Sequence, residues 1–300
     1  MPSRHSQLRY LAAVAEEGQI TNAARRLKLT QPTVSQAIAQ LEAELGIVLL
    51  ERHPRGVTLT PAGEAFLAKA PAALAAERDA ARTAESLVRA AEGALVVGFI
   101  GPPPATSTPE LFVEFTENHP DAQLTFRDLP FPCGTTSAWL EGADVAFCHR
   151  PRAETGVGVQ PVRVEPRALV AARDHPLALR AELSAEEILD ETFVSYGPEV
   201  QPEWAGFHSI DDHRGAPPQH TTHDHALTSL QMLGVMFSSR AITTVPYADA
   251  RIAQQVLPHV AAIPLTDLDP AEVSLVWRTD NLSPMLEALL TAAQALVDGV

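Results

Sequence analysis

A row of uncharged hydrogen-bonding side chains, with one proline among them, stands at the start of a predicted helix. The row consists of Gln31, Pro32, Thr33, Ser35 and Gln36. Thr30 precedes it as a good N-cap, and the proline falls in the first turn, where its missing N–H costs nothing. Amide and hydroxyl groups on the leading end of a helix are what reading base edges in a DNA major groove requires. The alternative is a helical hairpin with a solvated polar face.

The helix that carries this row is the second of two short helices joined by a tight turn. The first helix has one apolar face, made by Ile20, Ala23, Ala24 and Leu27. The second carries the apolar stripe Val34, Ile38, Leu41 and Leu45, which has the spacing of a single helix face. Two packed helices with a polar leading end predict a helix-turn-helix.

Two short β runs around a Pro/Gly turn follow the second helix. This pattern predicts a β-hairpin wing. Arg52 and Arg55 lie at the turn, where they could contact the phosphate backbone or an adjacent minor groove. For either arginine taken alone, a solvated side chain is an equally good interpretation.

The charge of the chain is distributed unevenly. Its 300 residues, 46% hydrophobic and 20% charged, describe a soluble globular protein of two or three domains with a net charge of −15. Residues 1–60 hold seven Lys/Arg against five Glu, a net +2, so the remaining 240 residues carry −17. Because a polyanion repels an acidic body, the sequence favours a basic DNA-binding head on a body with another task.

The sequence has neither a membrane-spanning pattern nor a signal-peptide pattern, and it contains few cysteines. No apolar run approaches the length of a membrane span, and the first residues do not form a signal-peptide pattern, so we expect a cytoplasmic protein without membrane contact. The two cysteines, Cys133 and Cys148, are too few for a disulfide framework.

A long alanine-rich helix is predicted over residues 62–92, with a kink or interruption at Pro71. Such a helix cannot bury its face within a small winged domain. We therefore expect it to pack on a partner helix, most simply its own copy in a dimer.

From residue 94 the pattern changes to alternating strands and helices, which predicts an α/β fold with largely parallel pairing. The predicted strands cover residues 94–100, 123–129, 144–148, 162–172, 193–195, 241–245 and 273–278. The last predicted helix covers about 283–297.

These residues resemble the LysR-type transcriptional regulators along the whole chain. The most specific matches are Asn22-Ala23-Ala24-Arg25-Arg26-Leu27, Gln31 to Ile38, and Leu59-Thr60-Pro61-Ala62-Gly63. Weaker matches continue through Leu140 to Phe147, Asp174-His175-Pro176-Leu177 and Val245-Pro246.

The resemblance implies three parts: a winged helix-turn-helix at 1–61, a linker or dimerisation helix at 62–92, and an effector-binding domain at 93–300. The effector domain would look like a periplasmic-type binding protein, with lobe I at 94–163 and 268–300, lobe II at 164–267, and the ligand between them. It also implies a homodimer through the linker helix, commonly a homotetramer, on double-stranded DNA with an interrupted two-fold-symmetric site. RNA polymerase is left open as a further partner.

By family position, the DNA contacts would be Gln31, Pro32, Thr33, Ser35 and Gln36, with Arg52 and Arg55 on the wing. Many members carry arginine at the position of Gln36. Since glutamine pairs with adenine where arginine prefers guanine, we expect a shifted operator preference.

The predicted effector residues lie in the first-strand loop of the family's cleft and in the segments expected to face it. They are Gly101, Pro102, Thr106, Ser107, Phe131, Ser195, Tyr196, Val245 and Pro246. Family members offer backbone N–H donors to an effector carboxylate in the first of these loops, but three consecutive prolines remove three donors here. We therefore predict a small hydrophobic or aromatic effector. The alternative is that Phe131 and Tyr196 simply fill the cleft.

Other functions have less support from the residues. Five histidines at positions 208, 213, 220, 223 and 225 could form a metal cluster, and Cys133 could sense oxidants. A solute-binding protein would share the two-lobed fold but not the first 60 residues. We expect neither an enzyme nor a cofactor, because the sequence has no nucleophile elbow, phosphate loop or zinc-protease helix.

Overall fold

The computed structural model describes residues 3–54, 56–281 and 283–298, and the chain divides into two compact units, Met1–Ala84 and Glu85–Val300. Within residues 75, 78, 79, 105 and 106 only the backbone is described. The elements up to the boundary are α1 (Arg4–Glu17), α2 (Ile20–Arg26), α3 (Gln31–Leu45), β1 (Leu50–His53), β2 (Gly56–Leu59), α4 (Pro61–Leu67) and α5 (Ala70–Ala91), the last of which continues into the second unit.

The first unit is a winged helix-turn-helix, as the sequence predicts. Apolar faces of α1, α2 and α3 share one core, in which Leu11, Val34 and Leu41 are fully buried. Strands β1 and β2 pair antiparallel with Leu50 opposite Leu59. A β-carbon on Gly56 would stand 2.3 Å from the Gly18 carbonyl oxygen, so this glycine permits the close contact between the wing and the end of α1.

The predicted linker helix is two helices, so the expectation of one helix over 62–92 is wrong. Thr60 caps α4 by accepting a 2.9 Å hydrogen bond from the Gly63 N–H. The chain then turns at residues 68–69, and α5 begins at Ala70. Pro71 lies in the first turn of α5 and starts a helix where we expected it to kink one. A first-turn proline has no intrahelical N–H bond to lose.

The second unit contains ten strands and eight α-helices within the described residues, with two short 3₁₀ turns at Pro176–Leu179 and Glu186–Ile188. Its strands are β3 (Ala94–Phe99), β4 (Gln123–Asp128), β5 (Val145–His149), β6 (Val157–Glu165), β7 (Arg167–Ala172), β8 (Phe193–Tyr196), β9 (Thr221–Ala226), β10 (Thr243–Pro246), β11 (Val260–Pro264) and β12 (Ala271–Arg278). Its helices are α6 (Pro104–Ser107), α7 (Pro109–Asn118), α8 (Thr136–Trp139), α9 (Pro202–His208), α10 (Asp211–Arg214), α11 (Ser229–Ser239), α12 (Tyr247–Val256) and α13 (Pro284–Asp298).

Two lobes are built on separate sheets. The first lobe has the strand order β4-β3-β5-β12-β6, and α7 and α13 pack on it through Phe115 and Leu289. The second lobe has the order β10-β7-β11, with the pair β8-β9 joined through a bridge from Phe193 to Ile242. A third apolar cluster takes residues from both lobes.

The chain crosses between the lobes twice. Pro166 separates β6 of the first lobe from β7 of the second, so the single strand predicted over 162–172 is wrong: it is two strands in two sheets. The predicted boundary at residue 163 falls inside β6. The return crossing lies between β11 and β12.

Strand pairing is mixed, which corrects the expected parallel sheet. Strand β3 pairs parallel with β4 and β5, and β8 pairs parallel with β9. Strands β12, β10 and β11 pair antiparallel with their neighbours. The return crossing brings β12 in from the other lobe, antiparallel to β5 and β6. In the second lobe α12 connects β10 to β11, so these two strands run parallel to each other and antiparallel to β7 between them.

Candidate functional site

The leading end of α3 presents the polar row to solvent. Gln31, Pro32, Thr33 and Gln36 are exposed, whereas Val34 is fully buried in the core behind them. The Thr30 hydroxyl caps the helix by accepting from the Thr33 N–H at 3.4 Å, and the two hydroxyl oxygens are 2.7 Å apart. This arrangement leaves the side-chain amides of the two glutamines on the accessible face.

The wing is tied to the same helix by two contacts. Arg52 is exposed and donates from Nη2 to the Ser35 hydroxyl at 3.2 Å. Glu42, near the end of α3, accepts the backbone N–H groups of Leu49 and Leu50 at 2.7 and 3.1 Å. The structure thus places Arg52 beside the polar row, while Arg55 lies outside the described residues. Sequence reasoning missed Glu42, because its partners are backbone groups.

A cavity of about 450 Å³ lies between the two lobes. Five of the predicted effector residues line it: Gly101, Pro102, Phe131, Val245 and Pro246. Much of the remaining wall is apolar and comes from α11 and α12, through Leu230, Met232, Leu233, Ile252, Ala253 and Val256. Sequence reasoning missed these helices because the family position of the site pointed to loops.

The other predicted effector residues lie elsewhere. Ser107 borders a neighbouring recess and accepts a 3.0 Å hydrogen bond from Arg163, while the side chain of Thr106 lies outside the described residues. Tyr196 packs behind the cavity wall, with its hydroxyl 2.7 Å from that of Thr243, and Ser195 is 2.8 Å from His225. The structure does not bring these serine and tyrosine side chains to the cavity lining.

An aromatic cluster closes the inner wall of the cavity. Trp204 lies at its centre, with ring centroids 4.6 Å from Phe131 and 4.0 Å from His208. Its indole N–H is buried and has no acceptor among the described residues. Four separated segments supply this cluster, and no local sequence signal could have joined them.

Two buried histidines face each other in this wall. Nε2 of His149, at the end of β5, lies 2.8 Å from Nε2 of His208, at the end of α9. Nδ1 of His208 meets the Thr244 carbonyl oxygen at 2.5 Å. Burial lowers the pKa of His149 to about 3, with nearby arginines adding to the effect, and it lowers the pKa of His208 well below its ordinary value. Both rings are therefore neutral at pH 7.

A shared arginine connects the lobes beside the cavity. Arg163 on β6 donates to Glu165 at 2.6 Å and, across the cleft, to Asp249 on α12 at 3.2 Å. Burial raises the pKa of Asp249 to about 7. Arg163 acts in the opposite direction, and the negative charge of Glu165 adds to the increase. One guanidinium thus serves two carboxylates, and the charge of Asp249 is not fully compensated when this group is ionised.

The geometry lends no support to the metal and redox alternatives. In the described part of the chain no group of three or more His, Cys, Asp or Glu side chains could hold a metal ion; His208 is buried while His223 is fully exposed. Burial raises the pKa of Cys148 to about 12, and burial with the charge of Glu199 raises that of Cys133, which disfavours the reactive thiolates.

None of the helices in the described ranges is both long and apolar enough to cross a bilayer.

Comparison with known families matches both units. The helix-turn-helix model of bacterial regulatory proteins of the lysR family covers residues 5–64, and the LysR substrate binding domain covers 89–298. These matches account for the winged head and for the two-lobed unit respectively.

Relatives match along nearly the whole chain. The transcriptional regulator TdfR of Cupriavidus pinatubonensis is 30% identical over 96% of this chain and 97% of its own length. AlsR of Bacillus subtilis is 28% identical over 96% of this chain and 93% of its own. Among solved structures, full-length CbnR complexed with its target DNA has a TM-score of 0.52 at 25% identity, covering 98% of this chain and 99% of its own.

A second solved structure, the crystal structure of CbnR, a LysR family transcriptional regulator, has a TM-score of 0.60 at 24% identity over 98% of this chain and 99% of its own, and supports the fold. The head, the lobes and the relatives agree on a DNA-binding regulator with an effector-binding domain. The chain therefore belongs to the LysR family of transcriptional regulators.

Proposed function

We propose that α3 reads operator DNA through Gln31, Thr33 and Gln36, with Ser35 and Arg52 acting as one unit. The exposed amides and hydroxyls on the leading end of the helix support base contacts, and the exposed guanidinium supports a phosphate contact. Pro32 fixes the backbone conformation of the first turn of α3. By family position, Arg55 adds a second DNA contact from the wing. The structure of CbnR with its target DNA makes DNA the partner to test first.

The operator we propose is an interrupted two-fold-symmetric site bound by a homodimer, with a homotetramer as the larger assembly. One helix-turn-helix reads few base pairs, so affinity requires several heads held at fixed spacing. Helix α5 exposes Leu87 (65%) and Val88 (59%), apolar side chains that a second copy of the helix would cover. RNA polymerase is a further proposed partner at the promoter.

The proposed effector is a small apolar or aromatic molecule bound in the cavity between the lobes. The observation that carries this proposal is the wall itself, which is built mainly of aliphatic side chains with Phe131 and Trp204 on its inner side. The volume of about 450 Å³ suits a compound of one or two rings. The prolines of the loop at 102–104 cannot donate backbone N–H groups to a carboxylate.

A melting-shift screen of the full chain tests the effector class. We expect monocyclic aromatic compounds to raise the melting temperature by an amount that grows with the logarithm of their concentration above Kd, and Phe131→Ala to weaken the binding of the same compounds. A screen in which only di- or tricarboxylates stabilise the protein would contradict the proposal.

A further inference from the structure

Among the residues that the structure describes, those lining the cavity include carboxylates but no lysine or arginine. Two acidic residues, Asp128 and Asp249, line it. Asp128 is exposed and has no salt-bridge partner within the described ranges, and desolvation raises its pKa. The nearest cation, Arg163, borders the adjoining recess. The wall therefore carries negative charge with no cationic side chain of its own.

Four of the five N–H donors of Arg163 are already bound, so little of its guanidinium is left for an anionic ligand. Its Nε donates to Glu165, its Nη2 to Asp249, and its Nη1 to the hydroxyls of Ser107 and Thr108. With two carboxylates around one guanidinium, this group is negative whenever Asp249 is ionised, and Asp128 adds a further carboxylate. An incoming carboxylate would meet like charges there, which disfavours its binding.

The histidine pair also presents an acceptor. The Thr244 carbonyl can only accept, so Nδ1 of His208 carries the proton of that neutral ring. Its Nε2 is then bare and must accept from Nε2–H of His149. This leaves Nδ1 of His149 unprotonated, without a partner among the described residues, in a ring that lines the cavity.

One feature of the wall favours negative charge. Ser229, at the first turn of α11, lines the cavity, and a helix N-terminus attracts anions through its partial positive charge. The N–H of Gln231 in that turn is already bound to the Thr228 hydroxyl at 3.2 Å. A helix N-terminus carries only about half an elementary charge, so the two acidic side chains still make the wall negative when they are ionised.

We infer that the effector is a small hydrophobic cation, a protonated amine whose N–H groups bind Asp249 and Nδ1 of His149 while its apolar body lies against Phe131 and the wall of α11 and α12. The inference deepens the proposed function and rests on the same cavity. An ammonium supplies the charge that Arg163 leaves uncompensated, and the nearby aromatic rings of Phe131 and Trp204 also favour a cation.

Ligand triplets that share one apolar group but differ in charge separate the effect of the effector's charge from the effect of its hydrophobicity. The probes are benzyl, 2-phenylethyl and cyclohexylmethyl compounds, each as the amine, the alcohol and the corresponding carboxylate, titrated into the full chain while tryptophan fluorescence is followed. Trp204 lines the cavity, so binding there alters its emission. We expect the amine of at least one triplet to bind about tenfold or more tightly than its alcohol, and the carboxylate to bind weakest.

Two substitutions test which carboxylate binds the ammonium group of the ligand. Asp249→Asn keeps an oxygen for Arg163 and should weaken the amine about tenfold or more while leaving the alcohol within about twofold. Asp128→Asn, at an exposed position, should weaken the amine less and keeps the test valid if the Asp249 variant folds poorly. Asp174→Asn removes an equal charge from an exposed residue outside the cavity lining and should change neither.

The outcomes are distinct. Amine preference that is reduced by Asp249→Asn supports the inference. Carboxylates that bind as tightly as their amines, or amines that do not bind in any triplet, overturn the cationic effector, while alcohol binding leaves the apolar cavity proposal standing. Stabilisation by di- or tricarboxylates alone overturns both.

Discussion

At the residue scale, the polar row on α3 and the wing arginine have different tasks. Base-edge contacts discriminate between sequences, whereas phosphate contacts add affinity that does not depend on sequence. Gln36 is exposed on the helix with no role in the core. Arg52 is exposed but held by the Ser35 hydroxyl, so its guanidinium is oriented before DNA arrives.

Arg52→Ala should weaken binding to specific and nonspecific DNA by similar factors. The slope of log K against log salt concentration should fall in magnitude by about one, because one fewer phosphate is neutralised. Fluorescence anisotropy over a salt series measures both quantities.

Arg4→Ala is the matched control, since this arginine is paired with Glu44 and should leave the slope unchanged. A change of sequence preference without a change of slope in the Arg52 variant would assign it to base reading.

The residues of the head could be predicted from the sequence because a single helix carries them. Capping by Thr30, the apolar stripe and the polar row are all local patterns. The wall of the cavity could be predicted only in part. His149, Trp204 and Asp249 reach it from strands and helices far apart in sequence, and only tertiary packing brings them together.

At the element scale, one buried carboxylate holds the end of α5 on the first lobe. Asp144 is 4% exposed and accepts from the Ser86 hydroxyl at 3.0 Å, from Arg89 at 2.7 Å, and from the Val96 N–H at 2.8 Å. It therefore joins the last turns of the linker to strand β3. The sequence predicted a helix and a strand at these positions but not the carboxylate that joins them.

Asp144→Ala should lower the free energy of unfolding of the effector domain by about 3–5 kcal/mol, because it leaves a buried N–H and a partly buried guanidinium without an acceptor. Asp144→Asn keeps one acceptor oxygen and should cost less. Urea unfolding followed by tryptophan emission isolates this domain, since the three tryptophans are Trp139, Trp204 and Trp277.

Ser86→Ala serves as the control and should cost about 1 kcal/mol, the usual net value of one neutral hydrogen bond. Equal losses for the serine and aspartate variants would contradict the role assigned to the carboxylate.

The errors in predicting the elements have physical causes. Pro71 was expected to kink a helix, but a proline in a first turn has no intrahelical bond to break. The apolar run at 162–172 looks continuous, yet Pro166 and the change of lobe divide it into strands of two sheets. Strand β9 was missed because His223, Asp224 and His225 are polar residues on its exposed positions.

At the scale of the whole molecule, the buried ionisable groups of the cleft make stability depend on pH with a definite sign. Below pH 6.5 the unfolded chain protonates His149 and His208, whose folded pKa values are lowered, so stability falls as pH falls. Asp249 opposes this, since its raised pKa of about 7 lets the folded state bind a proton first. The native protein should thus lose about 1.4 kcal/mol per pH unit near pH 5, the slope of one net proton.

Two substitutions show how much His149 and Asp249 each contribute to this pH dependence of stability. His149→Gln should bring it close to zero, and Asp249→Asn should raise it to about two protons, or about 2.7 kcal/mol per pH unit. Urea unfolding between pH 5 and 6 measures it. A slope that is the same in all three proteins would show that these groups are solvated in the folded state.

The central claim is that the head reads a symmetric operator through α3, and selection from a random-sequence DNA pool by the full chain tests it most directly. The account predicts enriched sites with two half-sites related by two-fold symmetry. It further predicts that Gln36→Arg changes the preferred base from adenine to guanine at the same position of both halves, with discrimination of about 1–3 kcal/mol. Enrichment of no motif, or of a motif that Gln36→Arg leaves unchanged, would contradict it.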